Sequence, residues 1–100
     1  MLTKEKIIIE IEHHKKIIRS FGVKKLTLFG SYARGEATVK SDIDFLVEFK
    51  KGRGLFDDSY ELQQFLQSLL KREIDLVKPG LVREELKAFI FGGEHLEARV

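Results

Sequence analysis

The sequence predicts an α/β fold, in the α+β sense, with helices packed on a small mixed β-sheet. The chain has 100 residues, of which 43% are apolar and 34% are charged, as in an ordinary globular domain. Helical spacing of apolar residues alternates along the chain with short segments typical of strands. Three strands and three helices are too few for a doubly wound sheet, which favours two layers. One hundred residues are close to the commonest domain size, so we expect a single domain over residues 1–100.

The first half of the chain predicts one helix and two strands. Isoleucines at helical spacing predict a helix over Lys4–Ser20, which Thr3 can cap. The apolar run Leu26–Phe29, stopped by Gly30, predicts a buried strand. Over Ser41–Phe49 every second residue is apolar, and the other face carries Asp42, Asp44, Leu46 and Glu48, so this is the clearest strand of the chain.

The second half predicts helix, strand and helix. Leucines at helical spacing predict a helix that ends near Leu70 and that Asp57, Asp58 or Ser59 can cap. The alternating segment Glu73–Val77 predicts a third strand. A last helix is predicted over Arg83–Phe91, followed by a short tail without a predicted element.

Composition narrows the classes of function. The net charge of +2 is too small and too evenly spread to indicate a nucleic-acid-binding face, so we expect no direct nucleic-acid binding. The chain lacks cysteine, a signal-peptide pattern and an apolar run long enough to span a membrane. We therefore expect a soluble, intracellular and cytoplasmic protein without a membrane partner.

Three aspartates predict a metal site. Asp42 and Asp44 lie two residues apart on a predicted strand, so both carboxylates leave the same face, about 6.6 Å apart at Cα. Asp75 occupies the middle of the third strand and can reach the same place if the two strands are neighbours. Carboxylates crowded on one face repel one another unless divalent cations lie between them, and oxygen ligands favour Mg²⁺ or Mn²⁺. Two such ions are the usual clamp for displacement at phosphorus.

Gly30 and Ser31 predict a phosphate-binding turn beside these carboxylates. Glycine at a strand end lets the backbone approach a ligand closely, and Ser31 adds a hydroxyl donor. Arg34, one turn further on, is either a contact to a polyphosphate or an ordinary surface ion pair.

Together these residues resemble a known family. Gly30-Ser31, ten intervening residues and then Asp42-Ile43-Asp44 match the signature of the DNA polymerase β-like nucleotidyltransferases, and Asp75 falls where that superfamily keeps its third carboxylate. The surrounding words, LFGSYARGEATVKSDIDFLVEF and EIDLV, look like the minimal nucleotidyltransferases, or MNT proteins. The resemblance spans roughly residues 3–91 and implies a polymerase β-like core.

The resemblance also implies roles and partners. Asp42 and Asp44 would bind two Mg²⁺ ions, Asp75 would bind the catalytic one and help activate the acceptor hydroxyl, and Gly30 and Ser31 would hold the phosphates of ATP. MNT proteins are antitoxins that transfer AMP to a tyrosine of an adjacently encoded HEPN-domain ribonuclease toxin, so we expect a hetero-oligomer with that toxin or a homo-oligomer.

Two alternatives remain open. The chain could neutralise its toxin by occlusion and keep the nucleotide site as a relic or sensor. It could also transfer a nucleotidyl group to a small molecule such as an aminoglycoside, although no acceptor-binding domain accompanies the core.

Overall fold

The computed structural model describes residues 2–79 and 95–100. The helices within this part are Lys4–His13 (α1), Lys15–Ser20 (α2), Gly30–Arg34 (α3) and Phe56–Leu70 (α4), and the strands are Val23–Phe29 (β1), Ile43–Phe49 (β2), Ile74–Val77 (β3) and Leu96–Ala98 (β4). No helix in these ranges combines the length and the apolar character needed to cross a bilayer.

The strands form one mixed sheet in the order β3, β2, β1, β4. β1 runs antiparallel to both β2 and β4, whereas β2 and β3 are parallel. The N-terminal ends of β2 and β3 and the C-terminal end of β1 therefore meet at one end of the sheet. We call this the carboxylate end, because Asp42, Asp44 and Asp75 lie there.

The core lies between one face of the sheet and the helices. Alternate residues of β2 point into it, and Ile43, Phe45 and Val47 are all buried. The helices contribute buried side chains at helical spacing, namely Ile7, Ile11, Ile18, Leu62, Leu66 and Leu70. The predicted arrangement of helices on a small mixed sheet is confirmed.

The predicted first helix lies where expected but is divided at His14. Its N-cap is the predicted Thr3, whose Oγ1 accepts a hydrogen bond from the Lys6 N–H at 3.3 Å. The His14 ring nitrogen Nδ1 is hydrogen-bonded to the carbonyl of Glu10 at 2.8 Å, and that carbonyl is the acceptor a regular helix would offer to the His14 N–H. The His14 N–H donates instead to Ile11 O at 3.1 Å, and the regular helix is interrupted there.

The fourth strand lies in the short tail, where no element was predicted. Leu96–Ala98 pairs with β1, with Ala98 opposite Leu26, and Ala98 is buried. A three-residue segment carries too little alternation to be recognised alone, and it forms a strand because the edge of β1 offers unpaired backbone groups. The predicted helix over residues 83–91 lies outside the described residues.

The start of α4 also differs from the prediction. The helix begins at Phe56, and its N-cap is Leu55, whose side chain makes no capping hydrogen bond. Asp58 reaches back instead, and its Oδ2 accepts the N–H of Gly54 at 2.9 Å. The predicted caps at Asp57, Asp58 or Ser59 are therefore wrong, since the helix starts before them.

Candidate active site

Register places the second and third carboxylates side by side. Asp44 is the second residue of β2 and pairs across the parallel ladder with Asp75, the second residue of β3. On its other side Asp44 pairs with Phe29, the last residue of β1 before Gly30. Asp44 therefore lies between the strand that carries Asp75 and the Gly30-Ser31 turn. It is half-buried, whereas Asp75 is exposed on the edge strand.

Asp42 lies just outside the strand that was predicted to carry it. β2 begins at Ile43, so Asp42 belongs to the connection that leads into the strand. That connection is held by Thr38 and Ser41: the Ser41 N–H donates to Thr38 O at 3.0 Å, and the Thr38 N–H donates to Ser41 Oγ at 2.8 Å. The Ile43 N–H donates to Glu73 O at 2.9 Å, which fixes the start of β2 against β3.

Gly30 is required by the position of the Asp44 carboxylate. Its φ is +77°, in the left-handed region that favours glycine. A Cβ at this position would overlap Asp44 Oδ2 and lie 3.0 Å from Cγ. Glycine at this position therefore lets the Asp44 carboxylate lie directly against the backbone.

The pKa of Asp44 is raised by its surroundings. Burial, followed by the negative charges of Asp75 and Asp42, raises the pKa of Asp44 from 3.8 to about 6, while the Arg34 guanidinium opposes the shift. Asp44 therefore carries a charge that its surroundings disfavour until a cation compensates it.

Ser31 and Arg34 belong to the short helix α3. The Ser31 hydroxyl makes no hydrogen bond to the described part of the chain, so it remains available to a ligand. Arg34 is exposed and pairs with Glu36, with 3.4 Å between Nε and Oε2. An exposed pair of this length contributes little to stability, so the guanidinium can turn from Glu36 to a stronger anion.

The sequence did not indicate the basic residues beside Asp42. A cleft of about 440 Å³ opens there, between the connection before β2 and the segment that joins α4 to β3. Lys40, Lys71 and Arg72 all line it. Lys71 and Arg72 directly follow the last turn of α4, where basic side chains also suit the helix dipole.

The donor set suits a hard divalent cation. In residues 2–79 and 95–100 no three His, Cys, Asp or Glu side chains are gathered into a group that could hold a metal ion as they stand. The three aspartates nevertheless offer only oxygen ligands, and the negative charges of Asp75 and Asp42 add to the effect of burial in raising the pKa of Asp44. The residues therefore fit Mg²⁺ or Mn²⁺ in chemistry and in charge.

Comparison with known proteins identifies relatives along almost the whole chain. The family model described as nucleotidyltransferase domain matches residues 11–97. Protein adenylyltransferase MntA of Thermococcus cleftensis is 39% identical over 97 residues, which cover 91% of this chain and 97% of the relative. A Methanocaldococcus jannaschii protein, provisionally named a protein adenylyltransferase, is 43% identical over 74 residues, which cover 73% of this chain and 74% of that protein.

Solved structures show the same fold. A structure provisionally named a minimal nucleotidyltransferase has a TM-score of 0.79 and 30% identity and covers 95% of both chains. A toxin–antitoxin structure with AMP-PNP has a TM-score of 0.70 and 26% identity, covering 92% of this chain and 72% of the other. The Y104A mutant of the toxin–antitoxin pair MntA-HpeT has a TM-score of 0.62 and 27% identity, covering 97% and 72%.

Proposed function

Because the chain belongs to the nucleotidyltransferase domain family, we propose that it is an antitoxin that transfers AMP from ATP to a tyrosine hydroxyl of a partner HEPN-domain ribonuclease toxin. The predicted family and polymerase β-like core are confirmed, and the chain is a nucleotidyltransferase. The observation that carries the proposed chemistry is the position of Asp44, between Asp75 and the Gly30-Ser31 turn.

The relatives support the nucleotide and the class of partner. The Thermococcus cleftensis relative, which covers nearly the whole chain, is named a protein adenylyltransferase. AMP-PNP, which accompanies one of the toxin–antitoxin structures, is an analogue of ATP. We therefore propose ATP as the donor and a toxin protein, bound as a hetero-oligomer, as the acceptor.

Each site residue has a proposed role. The backbone at Gly30 and the free hydroxyl of Ser31 bind the phosphates of ATP, and Arg34 adds a positive charge on the same side. Asp42, Asp44 and Asp75 would hold two divalent cations. When bound, these ions would supply the positive charge that neutralises the phosphates and the carboxylates.

The reaction is a displacement at the α-phosphorus of ATP. The tyrosine oxygen forms a bond to that phosphorus, and the bond to the bridging oxygen of the β-phosphate breaks, which releases pyrophosphate. The tyrosine proton must leave as the new bond forms. Asp75 is exposed on the edge strand β3, where an incoming protein can reach it, so we assign its carboxylate as the base that accepts this proton and thereby activates the hydroxyl.

The test is a mass measurement on the partner. The chain and the protein encoded beside it are purified together and incubated with ATP and Mg²⁺, and the partner is weighed by mass spectrometry. We expect added AMP on a tyrosine, and we expect the Asp44→Asn variant to lose at least about 100-fold in rate, since it removes a group at the reacting centre.

Glu48→Gln is the matched control. Glu48 lies on the same face of β2 as Asp44 but near the C-terminal end of the strand, away from the carboxylate end. Its Oε2 is 4.0 Å from Lys25 Nζ. It should keep the full rate. Neutralisation of the toxin without any added mass would instead favour occlusion, and modification of an aminoglycoside but not of the partner would favour the small-molecule alternative.

A further inference from the structure

The cleft beside Asp42 lies on the side of the site away from the phosphate-binding turn. Gly30 and Ser31 follow β1, whereas the cleft is lined by Asp42 and by Arg72 and Glu73, which lead into β3. Because β2 separates β1 from β3 in the sheet, phosphates held at Gly30 leave this cleft on the opposite side of Asp44. Its volume of about 440 Å³ leaves room for several side chains of an incoming protein.

The cations that line the cleft outnumber its carboxylates. Lys40, Lys71 and Arg72 face Asp42 and Glu73, which leaves one positive charge in excess. Neither Lys40 nor Lys71 forms an ion pair with any residue in the described ranges. The cleft therefore presents two lysines outside any ion pair of the described residues, next to the reacting centre.

Arg72 has a buried hydrogen-bond donor that lacks a partner in the described part of the chain. Its Nη1 donates to Lys71 O at 2.9 Å, but its Nε is buried and has no hydrogen-bond partner in the described part of the chain. A buried donor without a partner is costly, and a charged donor more so. A carboxylate that entered the cleft could satisfy it.

Lys71 occupies an unfavourable backbone conformation. Its φ is 55°, in the left-handed region where helices usually place glycine. Glycine would suit this backbone better, and the residue that stands there instead is a cation that lines the cleft.

From these observations we infer that the cleft binds an acidic segment of the acceptor protein and so selects which hydroxyl is adenylylated; this rests on the proposed function. Carboxylates of the acceptor would meet Lys40, Lys71 and Arg72 while the hydroxyl lies near Asp75. A nucleic acid fits less well, because none of the residues that line the cleft is aromatic, so bases would find no stacking platform.

The test is equilibrium binding of the acceptor protein in the absence of ATP, so that it does not depend on catalysis. We expect Lys40→Glu and Lys71→Glu each to weaken acceptor binding about tenfold, and we expect wild-type binding to weaken as salt is raised. Lys16→Glu on α2 makes the same change of charge at an exposed residue that does not line the cleft, and it should bind as wild type. Exchanging acidic residues near the modified tyrosine for lysine should restore binding to Lys71→Glu.

Three results would overturn the inference. These are unchanged acceptor binding by both cleft variants, a loss confined to ATP affinity, and Lys71-dependent displacement of the acceptor by single-stranded RNA. Acceptor binding that depends on Lys71 but leads to no transfer of AMP would support the cleft and contradict the proposed enzyme, so the two failures are distinguishable.

Discussion

At the scale of single residues, Gly30 links the fold to the chemistry. Its backbone is left-handed, and a Cβ would overlap the Asp44 carboxylate. We expect Gly30→Ala to lower the free energy of unfolding by about 1–2 kcal/mol from backbone strain alone. It should also lower the rate of AMP transfer by about 100-fold, because Asp44 is displaced. Urea denaturation and the mass-based assay measure the two effects.

Gly52→Ala separates backbone strain from displacement of the carboxylate. Gly52 has a φ of +80°, but a Cβ there would meet nothing within 4 Å, and the residue lies in the loop after β2. It should lose a similar free energy of unfolding and keep its rate. If both variants lost activity equally, the contact between Gly30 and Asp44 would have no catalytic importance.

Asp44 should make the metal-free protein less stable as pH rises. Its pKa is raised to about 6 from 3.8, so the folded protein holds this proton more tightly than the unfolded chain does. The resulting stabilisation is complete below about pH 4 and is lost as pH rises through about 6. After allowance for solvent screening, Asp44→Asn should be about 1–2 kcal/mol more stable than wild type at pH 7 in a chelator. The same gain at pH 4 would contradict this.

At the scale of elements, one side chain fastens the start of α4. Arg53 Nε and Nη2 donate to the two oxygens of Asp58, each at 2.8 Å, and Nη2 also donates to Ser20 O at 3.0 Å. The hydrogen bond from Arg53, and next that from the Gly54 N–H, lower the pKa of Asp58 from 3.8 to about 2. This network joins the loop after β2 both to α2 and to α4.

Because the pKa of Asp58 is lowered on folding, its stabilisation is present above about pH 4 and is lost as pH falls towards 2. We therefore expect Asp58→Asn to shift the urea midpoint down at pH 7 and to differ progressively less from wild type below pH 4. Asp57→Asn, one residue away on the same turn and exposed, should leave the midpoint unchanged. An equal shift for both variants would mean that only charge near the helix N-terminus matters.

Some of these elements could be predicted from the sequence and others could not. β2 was predictable because every second residue from Ile43 to Phe49 is apolar, while Asp44 and Glu48 lie on the other face. β4 was not, because Leu96–Ala98 becomes a strand only through its long-range pairing with β1. The break at His14 depends on a ring that hydrogen-bonds to a backbone carbonyl, which apolar spacing does not indicate.

At the scale of the whole molecule, the sheet order decides what meets at the site. The sequence could show that Asp42, Asp44 and Asp75 suit a metal, but the position of Asp75 beside Asp44 depends on the parallel pairing of β2 with β3. The basic cleft depends on the same pairing, since it brings Lys71 and Arg72 beside Lys40 from distant parts of the chain. Residues so far apart in sequence carry no local signal of their contact.

The alternation of β2 also implies that stability and activity can be changed separately. Phe45 points into the core and Asp44 away from it. Substitutions in the core should therefore lower activity mainly by lowering the fraction of folded molecules. Leu66 of α4 is fully buried, and we expect Leu66→Ala to cost about 2–5 kcal/mol of unfolding free energy. Below its lowered melting temperature, its rate per folded molecule should stay within about twofold of wild type, because the loss falls on global stability.

The exposed Gln64, also on α4, provides the control, and Gln64→Ala should change stability by less than about 0.5 kcal/mol. Asp44→Asn should behave in the opposite way to Leu66→Ala. In the metal-free protein at pH 7 its free energy of unfolding should rise, while its rate of AMP transfer should fall. Calorimetry combined with the mass-based assay tests the pair. A rate that fell in step with stability in Leu66→Ala, well below its melting temperature, would show that the core and the carboxylate end are coupled in the native state.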